Sequence, residues 1–339
     1  ACPPMETLAG FGELSLHCRA MEKRITICCV VGLIMSFGVV TGIVMATPEG
    51  NGEPERGRSM SESTNTLNVE AEAGADSVIM YIGTYTPKGE GIYVYSFDLK
   101  SGEFTKIETV TGLQNPSFVA LHPTGRFLYT VNEVRDFEGQ KSGAVTGFSV
   151  DQSSGKLKQL NQKSSGGMGP CFVSVAHDGK HILVANYGSG SVAVLSLDED
   201  GLLGKMTGFA QHEGSSIDPR RQASPHAHSI QPDPANRFAL AADLGLDKIL
   251  VYKYDAASGS LTPNQVPWVE SVPGSGPRHI AFRPDGRYLY VADELTSAVS
   301  VFRYERSVGT LQPSQTVSML PVGFEDGNSA AECLGHPSG

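Results

Sequence analysis

The chain has 339 residues, of which 39 are Gly and 20 are Pro, and only 18% are charged. This composition favours many short strands joined by tight turns over a helical protein. The formal net charge of −10 excludes the basic surface that non-specific binding to nucleic acid or to an anionic membrane requires, so we expect neither as a partner.

A leader and a linker come first along the chain. Residues 1–20 are interpreted as an upstream or non-native segment, because Met21 opens a run with the form of a start and a basic n-region. Residues 21–46 then contain an uncharged apolar stretch, which predicts a cleaved signal peptide or an uncleaved signal anchor. Residues 47–77 contain almost no large apolar side chains and predict a disordered linker.

The interpretation of the leader determines which cellular location we expect and whether we expect the protein to be attached to a membrane. Both interpretations of residues 21–46 send the chain into the secretory route, and only the anchor would attach it to a membrane. If the leader is a wrongly assigned start, the protein is instead cytosolic or plastid.

The rest of the chain, residues 78–339, is repetitive. Four segments align, with intervals of 54, 55 and 52 residues between the prolines near their starts, at Pro116, Pro170, Pro225 and Pro277. A fifth segment, NSAAECLGHPSG from Asn328, begins in the same way. A period of about 53 residues containing four strand-like runs is typical of a propeller blade.

The first unit begins part-way through. VIMYIGTY from Val78 matches the second strand of the later units, so no innermost strand is expected directly before it. At the observed period the repetitive region holds roughly five blades, and a propeller closes its ring by pairing the two chain ends. We therefore predict an all-β propeller of four-stranded antiparallel blades, C-terminally incomplete, with open sheet edges.

Two recurring positions help to separate structural residues from candidate site residues. The second strands end in Asn or Asp, which is typical of a side chain that caps backbone amides, at Asn132, Asn186, Asp243 and Asp293. Three residues after the aligned proline, the third unit carries His228 where the others carry Val or Ile. His226 is expected on the same face of that strand. A hydrogen-bonded core histidine is the structural alternative.

Charged residues mark the ends of the strands. Arg278 follows the aligned proline of the fourth unit, and Glu294 and Glu133 follow the recurring Asn or Asp of their units. An antiparallel hairpin brings Arg278 and Glu294 to the same end of the blade. The alternative for this pair is a salt bridge at the rim.

The cysteines indicate no metal site. Four of the six lie in the leader, which leaves Cys171 and Cys333 in the repetitive region at a spacing typical of neither a disulfide framework nor a zinc site. We expect both to be buried as small apolar residues.

These motifs resemble the lactonase family of seven-bladed propellers, which includes propeller-type 6-phosphogluconolactonases and the fungal carboxy-muconate lactonizing enzyme. The likeness runs from about Ile79 to the end, through MYIGTYT, NPSFVALHPTGRFLYTVNE, SPHAHSIQPDP, GPRHIAFRPDGRYLYVADELTS and NSAAECLGHPSG. Several ordered motifs make it more specific than a single glycine signature. The resemblance implies a seven-bladed β-propeller, present here as roughly five blades, with a lactone site at the mouth of its channel.

The resemblance also implies the residues of that site. His228, Arg278 and Glu294 stand on the matching motifs as catalytic residues, without metal or cofactor. We expect His226, Glu133 and Glu332 to bind substrate. The family pattern adds a second arginine in a Ser-Asn-Arg stretch, which would follow Gly339.

The implied activity is hydrolysis of a small-molecule sugar lactone, foremost 6-phosphoglucono-δ-lactone to 6-phosphogluconate. Arg278 would hold an anionic group and polarise the lactone, while Glu294 or His228 acts as general base. An unphosphorylated lactone or a muconate-type cyclisation would use the same site, and a non-catalytic binding scaffold is the alternative from another class. A secretory leader would separate the protein from 6-phosphogluconolactone, which belongs to cytosolic or plastid metabolism.

Overall fold

The computed structural model describes the backbone of residues 40–46 and residues 76–86, 88–324, 327–336 and 338 in full. The predicted all-β fold is confirmed, because the regular elements of these residues are strands in five four-stranded antiparallel sheets. Within the described ranges no helix has the length and apolar character needed to cross a membrane. The predictions for residues 1–39 and for the linker up to residue 75 fall outside the described residues.

Each sheet is one blade, built from strands that are consecutive in the chain. Blade 1 comprises β1 (Val40–Ala46), β2 (Ser77–Thr84), β3 (Ile92–Asp98) and β4 (Phe104–Val110). Blade 2 comprises β5 (Val119–Leu121), β6 (Phe127–Asn132), β7 (Ala144–Val150) and β8 (Leu157–Ser164). Blade 3 comprises β9 (Pro170–Val175), β10 (His181–Asn186), β11 (Ser191–Leu197) and β12 (Leu203–Gln211). Blade 4 comprises β13 (Ala227–Pro232), β14 (Phe238–Asp243), β15 (Lys248–Asp255) and β16 (Ser260–Glu270). Blade 5 comprises β17 (Pro277–Phe282), β18 (Tyr288–Asp293), β19 (Ala298–Glu305) and β20 (Thr310–Ser318).

Blade 1 differs from the expectation that no innermost strand precedes residue 78. β1 pairs antiparallel with β2, from Ala46 opposite Ile79 to Val40 opposite Thr84. The free edge of β2 would expose unpaired N–H and C=O groups, and the β-branched and apolar sequence of β1 suits a strand that covers them. Cleavage of a signal peptide after Ala46 would remove β1 from the blade.

The hydrophobic core lies between successive blades. Tyr81 and Ile92 of blade 1 pack in one cluster with Leu128 and Phe148 of blade 2, and similar clusters join blades 2 and 3, 3 and 4, and 4 and 5. The first strands of neighbouring blades also contact each other and form the inner wall of the ring. The chain therefore presents the start of every first strand and the end of every second strand at the same end of the central channel.

The backbone of blade 4 shows that the sequence alignment of its first strand is wrong by two residues. In each of blades 2 to 5, the residue after the second strand donates its N–H to one carbonyl before the first strand: Glu133 to Asn115, Tyr187 to Gly169, Leu244 to His226 and Glu294 to Gly276. His226 therefore stands at the position of Gly276. The error arose because Pro225 belongs to the long connection before β13 and has no counterpart in the repeat.

This register changes the meaning of His228. A bulge separates Ala227 from Ser229 in blade 4, as one separates Pro277 from His279 in blade 5. His228 is therefore the counterpart of Arg278, at a position that faces the channel mouth. The prediction that His228 replaces a β-branched core residue is wrong, because Ile230 fills that position and is fully buried.

Candidate active site

The channel mouth holds a pocket of about 190 Å³. All five blades and the connection between blades 3 and 4 contribute to its lining, which consists of Tyr85, Phe118, Glu133, Cys171, Tyr187, Arg221, His228, Arg278, His279 and Glu294. A larger groove of about 320 Å³ runs along the outer strands of blades 4 and 5, and Glu270 is the one ionisable residue in its described lining. The smaller pocket is therefore the candidate active site.

The structure brings together the three residues that were predicted to be catalytic. The Oε2 atom of Glu294 lies 3.7 Å from Nε2 of His228 and 3.6 Å from Nη1 of Arg278. Both distances are too long for a direct hydrogen bond and too short for a water to lie on the line between the two atoms, because each bond to such a water would span about 2.8 Å. A water on the pocket side of this cluster can still hydrogen-bond to Oε2 of Glu294 and to the imidazole or the guanidinium beside it.

His228 is buried and electrically neutral at pH 7. Its burial, followed by the nearby Arg278 and His279, holds the pKa of the imidazole well below its usual value. The Nδ1 atom lies 3.7 Å from Sγ of Cys171, and the ring meets that of Tyr187 edge-on at 5.3 Å. A neutral imidazole in this place can exchange hydrogen bonds with a water but carries no charge to attract an anion.

Arg278 is placed by the C-terminal segment. Its Nη1 atom donates a hydrogen bond of 3.2 Å to the carbonyl oxygen of Ala330, and Nε is buried without a partner among the described residues. Glu332, predicted to bind substrate, lies outside the pocket lining and accepts a bond of 2.8 Å from Nδ1 of His279. Glu332 thus holds a pocket residue instead of facing the pocket itself.

Glu133, which we expected to bind substrate, is the blade 2 counterpart of Glu294 and lines the pocket. Its Oε2 atom accepts hydrogen bonds from the hydroxyl groups of Tyr85 at 2.6 Å and Ser117 at 2.7 Å. Burial raises the pKa of this carboxyl, although both hydroxyl groups and Arg278 oppose the effect.

His226 does not share the face of His228. It precedes β13, its ring stacks on that of Tyr187 at 4.5 Å, and its Nδ1 atom lies 3.0 Å from the carbonyl oxygen of Tyr187. The alternation of side chains that would align the two histidines is interrupted by the bulge after Ala227. His226 therefore supports Tyr187, which lines the pocket.

Sequence reasoning missed Arg221, which reaches Glu294 from the connection between blades 3 and 4. Its Nη2 atom lies 2.5 Å from Oε1 of Glu294 and 3.4 Å from the hydroxyl of Tyr187. The alignment compared only the repeated segments, and Arg221 falls in residues 212–226, between β12 and β13. The sequence signal that could have indicated Arg221 is the pair Arg220 and Arg221, which lies in an unusually long connection of an otherwise acidic chain.

Cys171 and Cys333 form no disulfide within the described part of the chain, and their burial partly matches the prediction. Cys171 is buried but lines the pocket, and Cys333 is half-buried, with Sγ at 3.4 Å from the carbonyl oxygen of His279. Burial raises the pKa of both thiols, so neither is a thiolate at neutral pH. In the part of the chain that the structure describes, no group of three or more His, Cys, Asp or Glu residues could hold a metal ion.

Radial four-stranded blades around a mouth that gathers carboxylate, imidazole and guanidinium groups define a propeller of the lactonase class. The family described as "Lactonase, 7-bladed beta-propeller" matches residues 79–339, and the chain belongs to this family. Membership of this family supports lactone hydrolysis as the activity, which is a reaction of the carboxylic ester hydrolases.

Named relatives agree with the family. The chain is 36% identical over 254 residues to a 6-phosphogluconolactonase of Bacillus subtilis, covering 75% of this chain and 70% of the relative. It is 34% identical over 224 residues to a 6-phosphogluconolactonase of Formosa agariphila, covering 65% of this chain and 63% of the relative. The solved structure of a periplasmic gluconolactonase of Pseudomonas aeruginosa matches with a TM-score of 0.69 and 37% identity, covering 75% of this chain and 71% of that one.

Proposed function

We propose that this propeller hydrolyses a sugar δ-lactone in the pocket at its channel mouth, with 6-phosphoglucono-δ-lactone as the first candidate substrate. The convergence of His228 and Arg278 on Oε2 of Glu294 within one pocket carries the proposal. The names of the Bacillus and Formosa relatives support the phosphorylated substrate.

The hydrolysis needs one proton acceptor. A water on the pocket side of Oε2 of Glu294 donates a proton to that atom as its oxygen attacks the lactone carbonyl carbon, and neutral His228 holds the water through Nε2. A new C–O bond forms to the water oxygen, and the carbonyl oxygen becomes an oxyanion. When the ring C–O bond breaks, Glu294 returns its proton to the ring oxygen, which balances the reaction.

The oxyanion requires a fixed positive group. Arg278 lines the pocket and places Nη1 3.6 Å from Oε2 of Glu294, so its guanidinium lies beside the carboxylate at which the water would be activated. A preorganised cation with little water around it stabilises such a charge far more than one in bulk solvent. Glu133, the second carboxyl in the pocket, is positioned to accept hydrogen bonds from substrate hydroxyl groups.

Glucono-δ-lactone, without the phosphate, is the second candidate substrate. The arginines Arg221 and Arg278 both face Glu294, and Glu133 adds a second carboxyl, so the pocket offers a phosphate no excess of positive charge. The periplasmic gluconolactonase of Pseudomonas aeruginosa supports the same choice.

Acid release by the full-length protein tests the proposal. Both lactones, and a muconolactone, are followed in a pH-stat at pH 6.5, where spontaneous opening is slow, with Glu294→Gln as the site variant. The control is Glu270→Gln in the groove between blades 4 and 5. We expect turnover of a sugar lactone by the parent and the control and its loss in Glu294→Gln; hydrolysis at the spontaneous rate by a folded parent would favour the scaffold alternative.

We also propose that the protein enters the secretory route. The apolar segment within residues 21–46 and the periplasmic location named for the Pseudomonas relative support this. Intact-mass measurement of the protein from its host separates the alternatives: loss of the leader indicates a cleaved signal peptide, a full-length chain in the membrane fraction indicates an anchor, and a full-length chain in the cytosol contradicts the proposal.

A further inference from the structure

The connection between blades 3 and 4 is anchored at both ends to a single side chain. His212, at its start, places Nδ1 at 2.6 Å from Oδ2 of Asp243, and His226, at its end, donates its N–H to Oδ1 of Asp243 at 2.8 Å. The hydroxyl of Tyr252 lies 2.9 Å from Nε2 of His212. These groups of His212 and Asp243 are completely buried, so the two ends of the connection are fixed to blade 4.

The middle of the connection is also built around buried polar contacts. The side chain of Gln222 is fully buried, donating to the carbonyl oxygen of Leu244 at 2.9 Å and accepting from the N–H of Asp218 at 3.0 Å. Oδ1 of Asp218 accepts the N–H groups of Arg220 and Arg221 at 2.8 and 3.1 Å. This tight turn fixes the backbone from which the Arg221 side chain extends.

Arg221 engages only one oxygen of Glu294. Its Nη2 atom binds Oε1 at 2.5 Å, which leaves Oε2 to face His228 and Arg278. The terminal torsion of a glutamate is broad, so nothing within Glu294 itself selects this orientation. Without Arg221, the carboxylate would be free to turn onto the guanidinium of Arg278, which would take Oε2 away from the water that the proposed hydrolysis places beside it.

We propose that Arg221 is a positioning residue that holds Oε1 of Glu294 and thereby keeps Oε2 directed at the reacting water. This inference rests on the proposed lactone hydrolysis. The side chain of Glu294 is only 11% exposed, so the pair lies in a less screened environment than a surface salt bridge. Arg221 acts through Glu294, and its effect falls on the rate of the chemical step more than on substrate binding.

The test compares two neighbouring arginines in the full-length protein. Arg221→Ala should lower kcat about 30-fold and leave KM within about threefold, because a misplaced catalytic group slows the chemical step. Arg220→Ala is the matched control, since Arg220 is exposed on the same turn, and should keep both constants. Arg221→Lys should recover only part of the loss, because an ammonium lacks the planar fork of a guanidinium.

Two further measurements separate positioning from a merely structural role. Guanidinium ions added to Arg221→Ala should restore kcat at least about fivefold, since the Arg221 side chain is 41% exposed and its site can be reached from solvent. In the Glu294→Gln background, Arg221→Ala should cause no further loss of the residual kcat, because residues that act as a unit are non-additive. A raised KM with unchanged kcat in Arg221→Ala would overturn the proposal in favour of a role in substrate binding. Unchanged constants in Arg221→Ala, or additive losses in the double variant, would overturn it as well.

If the proposed function fails, the contact between Arg221 and Glu294 can still be tested. A folded parent that hydrolyses no lactone contradicts the proposed function alone. Thermal unfolding of the parent, the two single variants and the double variant then tests whether the two side chains interact. We expect the shifts in the midpoint to be non-additive; additive shifts would show that the two side chains do not interact.

Discussion

Asn186 and Asp293 occupy the same position at the end of the second strand, in blades 3 and 5, and both are fully buried. Oδ1 has no partner among the described residues in either side chain, but Asn186 also donates from Nδ2 to the carbonyl oxygen of Ser165 at 3.1 Å. Burial raises the pKa of the Asp293 carboxyl to about 6, against the hydrogen bond from Ser300. Blade 5 therefore has a buried carboxylic acid at the position where blade 3 has an uncharged amide.

Asp293→Asn should stabilise the protein, and more so at higher pH. The folded-state pKa lies above the unfolded value, so the stability that the protonated acid contributes is present at low pH and is lost as pH rises through about 6. The gain in the free energy of unfolding should be about 2 kcal/mol larger at pH 7.5 than at pH 4.5. Urea denaturation of parent and variant at both pH values measures the difference.

Asp243→Asn is the matched contrast in blade 4. The Asp243 carboxylate accepts bonds from His212 and from the N–H of His226, so its replacement should lower the free energy of unfolding at pH 7.5 by about 1 to 3 kcal/mol. Equal effects of the two substitutions would contradict the account of both positions.

The activity should depend on pH through His228. Its lowered pKa keeps the imidazole neutral down to pH 6.5, so kcat/KM should stay level from pH 7.5 to 6.5 and fall only at lower pH. His228→Gln retains a hydrogen-bonding side chain but does not titrate, and should reduce kcat by about 10- to 100-fold with a shallower acid limb. A pH-stat series from pH 5 to 7.5 measures both, and an acid limb that begins above pH 6.5 in the parent would contradict a neutral His228.

Arg278→Lys should inactivate the enzyme although it keeps the charge. An ammonium cannot donate at once to Ala330 and to a substrate oxygen in the geometry of the guanidinium, so kcat/KM should fall about 100-fold. Arg287→Lys, at an exposed turn of the same blade, is the control and should leave kcat/KM unchanged. Steady-state kinetics on the preferred lactone give the comparison, in which similar constants for both variants would count against Arg278 as the oxyanion donor.

Gly259→Ala should destabilise the protein more than Gly102→Ala. Both glycines lie in the hairpin between the third and fourth strands of a blade, with φ of +72° and +75°, and alanine in that region costs about 1 to 2 kcal/mol. A Cβ at Gly259 would also clash with Oγ1 of Thr207 and lie 2.5 Å from Cδ2 of His181, whereas one at Gly102 would meet no atom within 4 Å. Thermal unfolding of the two variants isolates the steric contribution of the contact between blades 3 and 4, and equal losses would show that Thr207 and His181 both move aside freely.

The blade architecture and part of the site could be predicted from sequence. The period of the repeat and the alternation of apolar residues are properties of neighbouring residues along the chain, so they indicate the strands without knowledge of the fold. Arg278 and Glu294 could be paired because one antiparallel hairpin joins them. His228 was chosen for the right blade but from an alignment that a proline outside the repeat had shifted.

The tertiary structure decided which residues meet across the channel. Arg221 and Glu294 lie 73 positions apart and belong to no common hairpin, so only the curvature of the ring brings them into contact. The same holds for Glu332, which sequence placed in the pocket and which instead holds His279. By itself the sequence determined an all-β repeat of four-stranded units and its family. The packing of blade on blade determined the geometry of the site, because distances across a ring depend on every interface around it and not on any local pattern.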